Sequence, residues 1–313
     1  MSSILTNTSA MSALQTLRTI NNDMESTQER ISTGMRVGAA KDNAAYWSIA
    51  TTMRSDNAAL SAVQDALGLG AAKVDTAYAG VSAAMDVVKE IKSKLVAATE
   101  QGVDKGKVQE EITQLQDQLK SIANGASFNG ENWLVEGKDT STIVTGFVRD
   151  SNGVKVTSAI YKGAANSLFA TRDATTGEID ASSAGGGILA SDATALNVTP
   201  KGSGLGNATV TDMDITGFDD DDMADALSLV EAAYQQMATA GSQLGSLSKR
   251  ISLQEDFASK LSDALDKGVG RLVDADMNEE STRLKALQTQ QQLAIQSLSI
   301  ANSNSQNILS LFR

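Results

Sequence analysis

The stretch "GMRVGAAKD", residues 34–42, combines glycines with an arginine, a lysine and an aspartate, which could bind a phosphate or perform acid–base chemistry. A phosphate-binding P-loop requires Gly-Lys-Ser/Thr at a helix start, so that backbone N–H groups and the lysine converge on the phosphates. Here Asp42 follows Lys41, and its carboxylate would repel a phosphate. We therefore predict a joint between two helices, in which Gly34 ends the first helix, Arg36 and Lys41 lie in the turn, and Asp42 caps the second helix.

Two acidic clusters are candidates for either metal binding or helix capping. They are "DDDD" at residues 219–222 and "ADMNEE" at residues 275–280. A calcium-binding EF-hand loop needs alternating oxygen ligands, a glycine in mid-loop and a closing glutamate, and this spacing is absent. Acidic side chains before a helical run stabilise its N-terminus. We predict capping at the first cluster, and a solvated turn or capping cluster before the last helix at the second. No metal and no cofactor is expected.

The sequence contains no cysteine and no histidine, which limits the available chemistry. Thiol nucleophiles, disulfides, imidazole metal sites and Ser-His-Asp triads are excluded. A pair of carboxylates could still act as in glycosidases, but such a pair needs a concave scaffold, and long paired helices offer no obvious cleft. We therefore expect that the protein is not an enzyme.

Charge is distributed unevenly along the 313 residues, whose net charge is -12. Residues 1–45 and residues 271–313 each hold four basic and four acidic side chains, so the acidic excess lies between them. Such a chain is a poor partner for nucleic acid, and neutral ends favour packing against copies of themselves. Residues 286–312 carry no charge, but their many amide side chains argue against a membrane span. The first residues lack the basic start and apolar run of a secretion signal.

Both ends of the chain show heptad spacing in alternating steps of three and four, which keeps one stripe facing a partner helix. The N-terminal stripe is Ala10, Leu14, Leu17, Asn21, Met24, Gln28 and Ile31. The C-terminal stripe is Leu284, Leu287, Gln291, Ala294, Leu298, Ala301, Ser305, Ile308 and Phe312. Polar members weaken a two-helix seam and favour particular registers. We therefore expect self-association, and ends that are largely disordered in the free monomer and fold on assembly.

Three further apolar stripes predict helices inside the terminal pair, over residues 60–88, 108–122 and 227–265. Between residues 139 and 217 the pattern changes. There "TIVTGFVRDSNGVKVTSAIYKG" predicts a β-hairpin around Asn152-Gly153, and "KGSGLGNATVTDMDI" contains short strand-like pieces. The predicted fold is mainly α, with nested antiparallel helices or a coiled coil formed by the N- and C-terminal segments, and a small β-rich central insertion.

Several motifs resemble those of bacterial flagellins. "ERISTGMRVGAAKDNAA" is similar to the family's Arg-Leu-Ser-Ser-Gly-x-Arg-Ile-x-x-Ala-Lys-Asp-Asp-Ala-Ala signature, and "GRLVDADMNEES" to its Arg-Ile-x-Asp-Ala-Asp stretch. "NILSLFR" resembles the closing Asn-x-Leu-x-Leu-Leu-Arg, and "FNGENWL" resembles Phe-Asn-Gly-x-x-Leu. The resemblance covers residues 1–138 and 218–313 and leaves the insertion unmatched.

The resemblance implies a structural subunit that self-assembles into the helical flagellar filament used for bacterial swimming. It implies an inner-tube domain formed by residues 1–43 and 271–313, and an outer-tube rod formed by residues 44–138 and 218–270. Residues 139–217 would form a variable β-rich surface domain. Deletion of that last segment is expected to preserve polymerisation.

Together with the terminal stripes, the resemblance predicts which residues form the joint and the contacts between subunits. The joint residues are Arg30, Gly34, Arg36, Lys41 and Asp42, with Arg271, Asp274 and Asp276 in the returning connection. The helical contact residues are Leu14, Leu17, Met24, Ile31, Leu298, Ile308, Leu309, Leu311, Phe312 and Arg313. Tyr46 and Trp47 replace small residues of the family, and Phe312 replaces a leucine, so packing near the joint and the lumen is expected to differ.

A filament subunit implies a homo-oligomer of many copies that co-assembles with related flagellins. An export chaperone and a filament cap are expected as further partners, while nucleic acid and membranes are not. The expected location is the extracellular flagellar filament, reached through type III export without a cleaved signal. Two alternatives stay open: a hook–filament junction protein, which shares the terminal motifs, and a secreted enzyme that uses the insertion.

Overall fold

A computed structural model describes residues 7–135, 141–150, 153–163, 166–170, 179, 186–202 and 205–310. The chain divides into two compact units. The first, here called the terminal unit, consists of Met1–Ala58 and Leu261–Arg313. The second, the middle unit, is Ala59–Lys260. The three-domain division predicted from the sequence places its boundaries differently and stays a prediction.

Most described residues are helical, as predicted. The helices are α1 (Thr8–Thr33), α2 (Ala44–Ala98), α3 (Lys105–Gly125), α4 (Asp220–Val273) and α5 (Met277–Ser310). The strands are β1 (Ser127–Phe128), β2 (Glu131–Asn132), β3 (Ser141–Asp150) and β4 (Gly153–Tyr161). Strand β1 pairs with β2 and strand β3 pairs with β4, and each pair forms a small antiparallel sheet. The predicted class, mainly α with small β elements, is confirmed.

Acidic and amide side chains start these helices, as expected for N-caps. Asp104 accepts the N–H of Gly106 at 3.0 Å at the start of α3. At the start of α4, Asp219 accepts the N–H of Asp222 at 2.8 Å, and Asp222 accepts the N–H of Asp219 at 3.3 Å. This reciprocal pair is a capping box, so the capping role predicted for the "DDDD" cluster is confirmed.

In the terminal unit α1 and α5 pack against each other along one stripe of each helix. On α5 the buried and half-buried positions include every predicted member from Leu284 to Ala301. On α1 the predicted stripe is wrong at alternate positions, because Ala13, Ile20 and Thr27 face inward where Leu14, Asn21 and Gln28 were expected. The apolar pattern favoured Leu14 because its side chain is larger than that of Ala13. In the structure Ile20, and not its polar neighbour Asn21, is buried between the two helices.

The middle unit has one hydrophobic core, to which α2, α3, α4 and the segment between β4 and α4 all contribute. Side chains that are fully buried there include Leu67, Ile91, Ile112, Leu134, Phe169, Leu189, Met213 and Ile215. Much of the described part of the predicted insertion therefore belongs to the core. The strand-like pieces predicted in "KGSGLGNATVTDMDI" are wrong, because the described residues of that stretch form turns.

Glutamine side chains of α3 explain how these turns are buried without a strand partner. The amide N–H groups of Gln116 donate to the carbonyl oxygens of Val210 and Met213, both at 3.1 Å. Gln109 donates to Met213 O at 3.1 Å and accepts the N–H of Ile215 at 3.0 Å. Buried backbone groups need hydrogen-bond partners, and here side chains supply them.

In the sequence of each hairpin an Asn-Gly pair lies at the connection between the two strands. The predicted hairpin is confirmed as β3–β4, although Asn152 lies outside the described residues. The β1–β2 hairpin was not predicted from the sequence, and in its turn Asn129 and Gly130 have φ values of 50° and 80°. Two successive positive φ values are the mark of a type I′ turn, for which Asn-Gly is the preferred pair. No described helix is long and apolar enough to cross a membrane.

Candidate assembly site

The joint between α1 and α2 starts at Gly34, where α1 ends as predicted. Gly34 has a φ of +72°, and its N–H donates to the carbonyl oxygen of Arg30 at 2.8 Å. This left-handed conformation costs a residue with a side chain about 1 kcal/mol. Glycine therefore allows the chain to leave the helix without strain.

The joint then pairs with the returning connection between α4 and α5. The N–H of Arg36 donates to the carbonyl oxygen of Val273 at 2.6 Å, and the N–H of Ala275 donates to that of Gly34 at 2.9 Å. The guanidinium of Arg36 also donates to the carbonyl oxygen of Leu272, at 3.2 Å. These bonds form a short antiparallel backbone ladder, so the two connections that the sequence singled out lie side by side.

Asp42 closes the turn of the joint, and its neighbour caps the next helix. The Oδ2 atom of Asp42 accepts the N–H groups of Gly38 and Ala39, both at 3.0 Å. Asn43 Oδ1 accepts the N–H of Tyr46 at 3.1 Å, within the first turn of α2. The prediction that Asp42 caps α2 is therefore wrong by one residue, because Asp and Asn are equally good caps and both occur here.

These hydrogen bonds favour the ionised form of Asp42. The N–H of Ala39 is the main cause that lowers the pKa of Asp42 below its ordinary value of 3.8. Partial desolvation opposes this shift, while the N–H of Gly38 and the charges of Lys41 and Arg30 reinforce it. The carboxylate stays ionised at neutral pH and keeps both backbone bonds. Lys41 itself lies exposed in the turn.

A salt bridge that was not predicted from the sequence joins α1 to α5. Arg30 Nη1 lies 3.1 Å from Glu280 Oε1, and the Glu280 side chain is only 6% exposed. Arg283 Nη1 lies 3.9 Å from the same oxygen. The second oxygen of Glu280 is buried and has no hydrogen-bond partner in the described part of the chain. Glu280 was predicted to belong to a solvated or capping cluster, and its burial is tolerable because Arg30, with Arg283 further away, compensates its charge.

Amide side chains fix the register of α1 against α5 further along the seam. Asn7 caps α1 and donates through Nδ2 to the carbonyl oxygen of Ala301 at 2.9 Å. Gln291 Nε2 donates to Asn21 Oδ1 at 2.7 Å. The first bond joins residues 294 positions apart and the second joins residues 270 positions apart, and the second pairs two polar members of the predicted stripes. A one-turn slip of either helix would break both.

The three predicted residues of the returning connection have different environments. Asp276 caps α5, because its Oδ1 accepts the N–H of Asn278 at 2.9 Å. Asp274 is exposed, and its N–H donates to the carbonyl oxygen of Gly270 at 2.9 Å. The side chain of Arg271 is exposed and has neither a hydrogen bond nor an ion pair within the described ranges. A neighbouring molecule is able to reach this cation.

The predicted helical contact residues are only partly buried. Leu17, Met24, Ile31 and Leu298 are half-buried, while Leu14 is 40% exposed. Leu311, Phe312 and Arg313 lie outside the described residues, and so do the side chains of Ile308 and Leu309.

Half of the large apolar side chains that face solvent in the described structure, nine of eighteen, lie in the terminal unit, although this unit has only 111 of the 313 residues. In the terminal unit they are Met11, Leu14, Tyr46, Trp47, Ile49, Met277, Leu293, Ile295 and Ile300, each at least 38% exposed. Exposed apolar patches on a folded chain mark surfaces that another molecule covers. The exposed apolar side chains of the terminal unit are therefore candidates for a contact with another molecule.

Comparisons with known proteins identify the family of the chain. The family model of the bacterial flagellin N-terminal helical region matches residues 4–139, and that of the C-terminal helical region matches residues 227–312. Flagellin A of Rhizobium meliloti is 49% identical over 395 positions, with all of both chains covered. The chain belongs to the bacterial flagellin family. Flagellin C of Rhizobium meliloti strain 1021 is 52% identical and the flagellin of Brucella melitensis biotype 1 is 46% identical, again over the whole of both chains.

This flagellin is a structural subunit of the helical flagellar filament, which polymerises from many copies outside the cell. The residues of the joint and of the α1–α5 pair fall within the two matched regions, whereas residues 140–226 lie between them. Flagellins are a structural protein family. Among the residues that the structure describes, no group of side chains is arranged to hold a metal ion.

Proposed function

We propose that the terminal unit is the part of this flagellin that polymerises, and that α1 and α5 lie side by side in the wall of the inner tube. In this proposal residues 1–43 and 271–313 form the inner tube, residues 44–138 and 218–270 the outer tube, and residues 139–217 lie at the outer surface. The observation that carries it is the higher density of exposed large apolar side chains on the terminal unit: the described structure has nine on this unit of 111 residues and nine on the middle unit of 202 residues.

Loose packing supports the proposal that the chain ends gain order on assembly. Between α1 and α5 lies a groove of 480 Å³, lined only by small or hydroxyl side chains such as Ser12, Ala13, Thr16, Ala294 and Ser297. Such a gap forfeits dispersion contacts, so the isolated pair is weakly stabilised. Covering the exposed faces with neighbouring subunits supplies the missing burial, so the weakly stabilised α1–α5 pair gains order when the chain polymerises.

The same surfaces define the partners that we propose for the chain. Identical copies, and the related flagellins with which it would co-assemble, present the same terminal helices. Before assembly the exposed apolar faces need protection, which is the role of an export chaperone, and at the growing end a filament cap would hold the arriving chain. A hook–filament junction protein remains the alternative, because it shares the terminal motifs but caps instead of elongating. Catalysis by the segment 139–217 is not part of this proposal.

Replacing Trp47 with serine is expected to impair elongation without unfolding the monomer. Trp47 is 38% exposed, which corresponds to about 80 Å² of ring surface that a neighbour could cover. At 25 cal/mol per Å² its burial contributes about 2 kcal/mol, so the critical concentration for polymerisation should rise about 30-fold. The measurement is light scattering of purified chain added to filament seeds, with circular dichroism as the check of the monomer fold.

Two matched variants complete this experiment. Trp47→Phe keeps an apolar ring at the site and should retain most of the elongation. Tyr78→Ser removes a side chain that is 48% exposed in the middle unit and should elongate seeds like the unchanged protein. If Trp47→Ser elongates seeds normally, the surface is not an interface. If the unchanged chain stops growth of the seeds, the junction-protein alternative is correct.

A further inference from the structure

The middle unit has a basic surface where the end of β4 meets α4. Ile160, Lys162 and Arg250, which define this surface, line a groove of 470 Å³ together with Tyr161 and Gln243. Lys162 and Arg250 are exposed, and neither forms an ion pair with any residue that the structure describes. By contrast, three other lysines of this unit are paired with glutamates: Lys73 with Glu131, Lys92 with Glu231 and Lys94 with Glu111.

The walls of this groove offer hydrogen-bond donors. Lysine and arginine are donors only. Tyr161 is 4% exposed, and its hydroxyl has no hydrogen-bond partner within the described ranges. Burial raises the pKa of Tyr161 to about 12, so the hydroxyl keeps its proton at neutral pH. The Oε1 of Gln243 already accepts from Asn166 Nδ2 at 2.8 Å, which leaves its own N–H groups as donors. A carboxylate is the group that satisfies such a set.

A second groove in the same unit has the opposite character. This acidic groove, of 500 Å³, lies between α2 and α4 and is lined by Gln64, Asp65, Gly68, Glu255 and Ser259. Asp65 and Glu255 are exposed, and both lack an ion-pair partner among the described side chains. A side chain placed at Gly68 would meet no atom within 4 Å, so the helix surface is bare there. A side chain from another molecule can therefore reach the floor of the groove.

The basic surface and the acidic groove complement each other in charge and in shape. Ile160 is 63% exposed beside the two cations and so provides an apolar projection, for which the bare helix surface at Gly68 leaves room. Arg250 and Glu255 are five residues apart on α4, which separates them by about 7.5 Å along the helix and by roughly 140° around it. The two surfaces therefore face different directions on one copy, and only another copy can bring them together.

We propose that the basic surface of one subunit docks into the acidic groove of a neighbouring subunit, with Lys162 and Arg250 facing Asp65 and Glu255 of that neighbour. A contact between two different patches of the same chain is heterologous, and when its rotation does not close it generates a helical polymer. The inference deepens the proposed function and rests on it: the terminal unit supplies apolar contacts, and these charges select the neighbour and its register.

Charge reversal tests this pairing in the full-length chain. Lys162→Glu/Arg250→Glu places like charges opposite each other and should raise the critical concentration at low salt at least tenfold, since such juxtaposition is strongly unfavourable. Asp65→Lys/Glu255→Lys should have a similar effect. The matched control is Lys155→Glu/Lys249→Glu, which changes the net charge equally at exposed lysines outside the groove and should change the critical concentration less than about threefold.

The decisive variant combines all four reversals, because it restores the net charge and the complementarity. It should polymerise within about threefold of the unchanged chain, although each double variant is impaired. The pairing is overturned if the fourfold variant is as impaired as the doubles, or if the doubles behave like the control. In both cases the unchanged chain still elongates seeds, so the proposed function stands. If the unchanged chain does not polymerise, both the function and the pairing are wrong.

Discussion

Replacing Arg30 with alanine lowers the free energy of unfolding of the terminal unit by about 2–4 kcal/mol, because it strands a buried carboxylate. Glu280 is 5% exposed, and one of its oxygens already lacks a partner in the described structure. Without the contact of 3.1 Å to Arg30, only Arg283, at 3.9 Å, remains near that carboxylate. Helices α1 and α5 should then separate, and elongation of filament seeds should fail at concentrations that support the unchanged chain.

The chain has two tryptophans, which allow the two units to be followed separately. Trp47 lies in the terminal unit and Trp133 in the middle unit. With fluorotryptophan incorporated, urea titrations monitored by fluorine NMR should show an earlier transition only for the Trp47 signal of the Arg30→Ala variant. Exchanging both charged partners for apolar residues, Arg30→Met/Glu280→Leu, should recover most of the lost stability. A single Arg30→Ala variant as stable as the unchanged protein would show that the ion pair contributes nothing to the pairing.

Replacing Phe169 with alanine should destabilise the middle unit by about 3–5 kcal/mol, as expected for a large core aromatic. Phe169 is 0% exposed, and its N–H donates to the carbonyl oxygen of Leu134 at 3.0 Å. Phe169 lies between the two regions that the family models match. If its segment were only an appendage on the surface, the substitution would leave the stability of the middle unit nearly unchanged.

The readout is the fluorine signal of Trp133 in the same urea titration. Phe257→Ala is the matched control: its side chain is 58% exposed, so the change should stay within about 0.5 kcal/mol. A cost below 1 kcal/mol at Phe169 would mean that its segment is not part of the core. A large cost would mean that deletion of residues 139–217 opens the core, contrary to the expectation that polymerisation survives the deletion.

The sequence predicted what depends on local periodicity. The α5 stripe, the end of α1 at Gly34, the acidic cap of α4 and the β3–β4 hairpin are each specified by residues within a few positions of one another. The α1 stripe is wrong at alternate positions because two heptad assignments share Ala10, Leu17, Met24 and Ile31. Choosing between them requires knowing that Ile20 is buried against α5 and that Leu14 is exposed.

What the sequence could not predict depends on contacts between distant residues. Glu280 is read as a solvated acid until Arg30, 250 positions earlier, is placed beside it. The turns around Val210 and Met213 look like strands until Gln109 and Gln116 are seen to satisfy their backbone groups.

Relatives of the family differ in length as well: the alignment with Flagellin A spans 395 positions against 313 residues here.

The most direct test of the central claim is a distance between α1 and α5 in the assembled filament. The chain has no cysteine, so Asn22→Cys/Gln292→Cys accepts two spin labels at exposed positions beside the Asn21–Gln291 hydrogen bond. Doubly labelled chain is diluted into unlabelled chain, polymerised onto seeds and measured by pulsed dipolar spectroscopy. The account predicts one narrow, short distance, limited by the two label linkers. A broad distribution, or a single long distance, would show that the two chain ends do not pair within a subunit, and would contradict it.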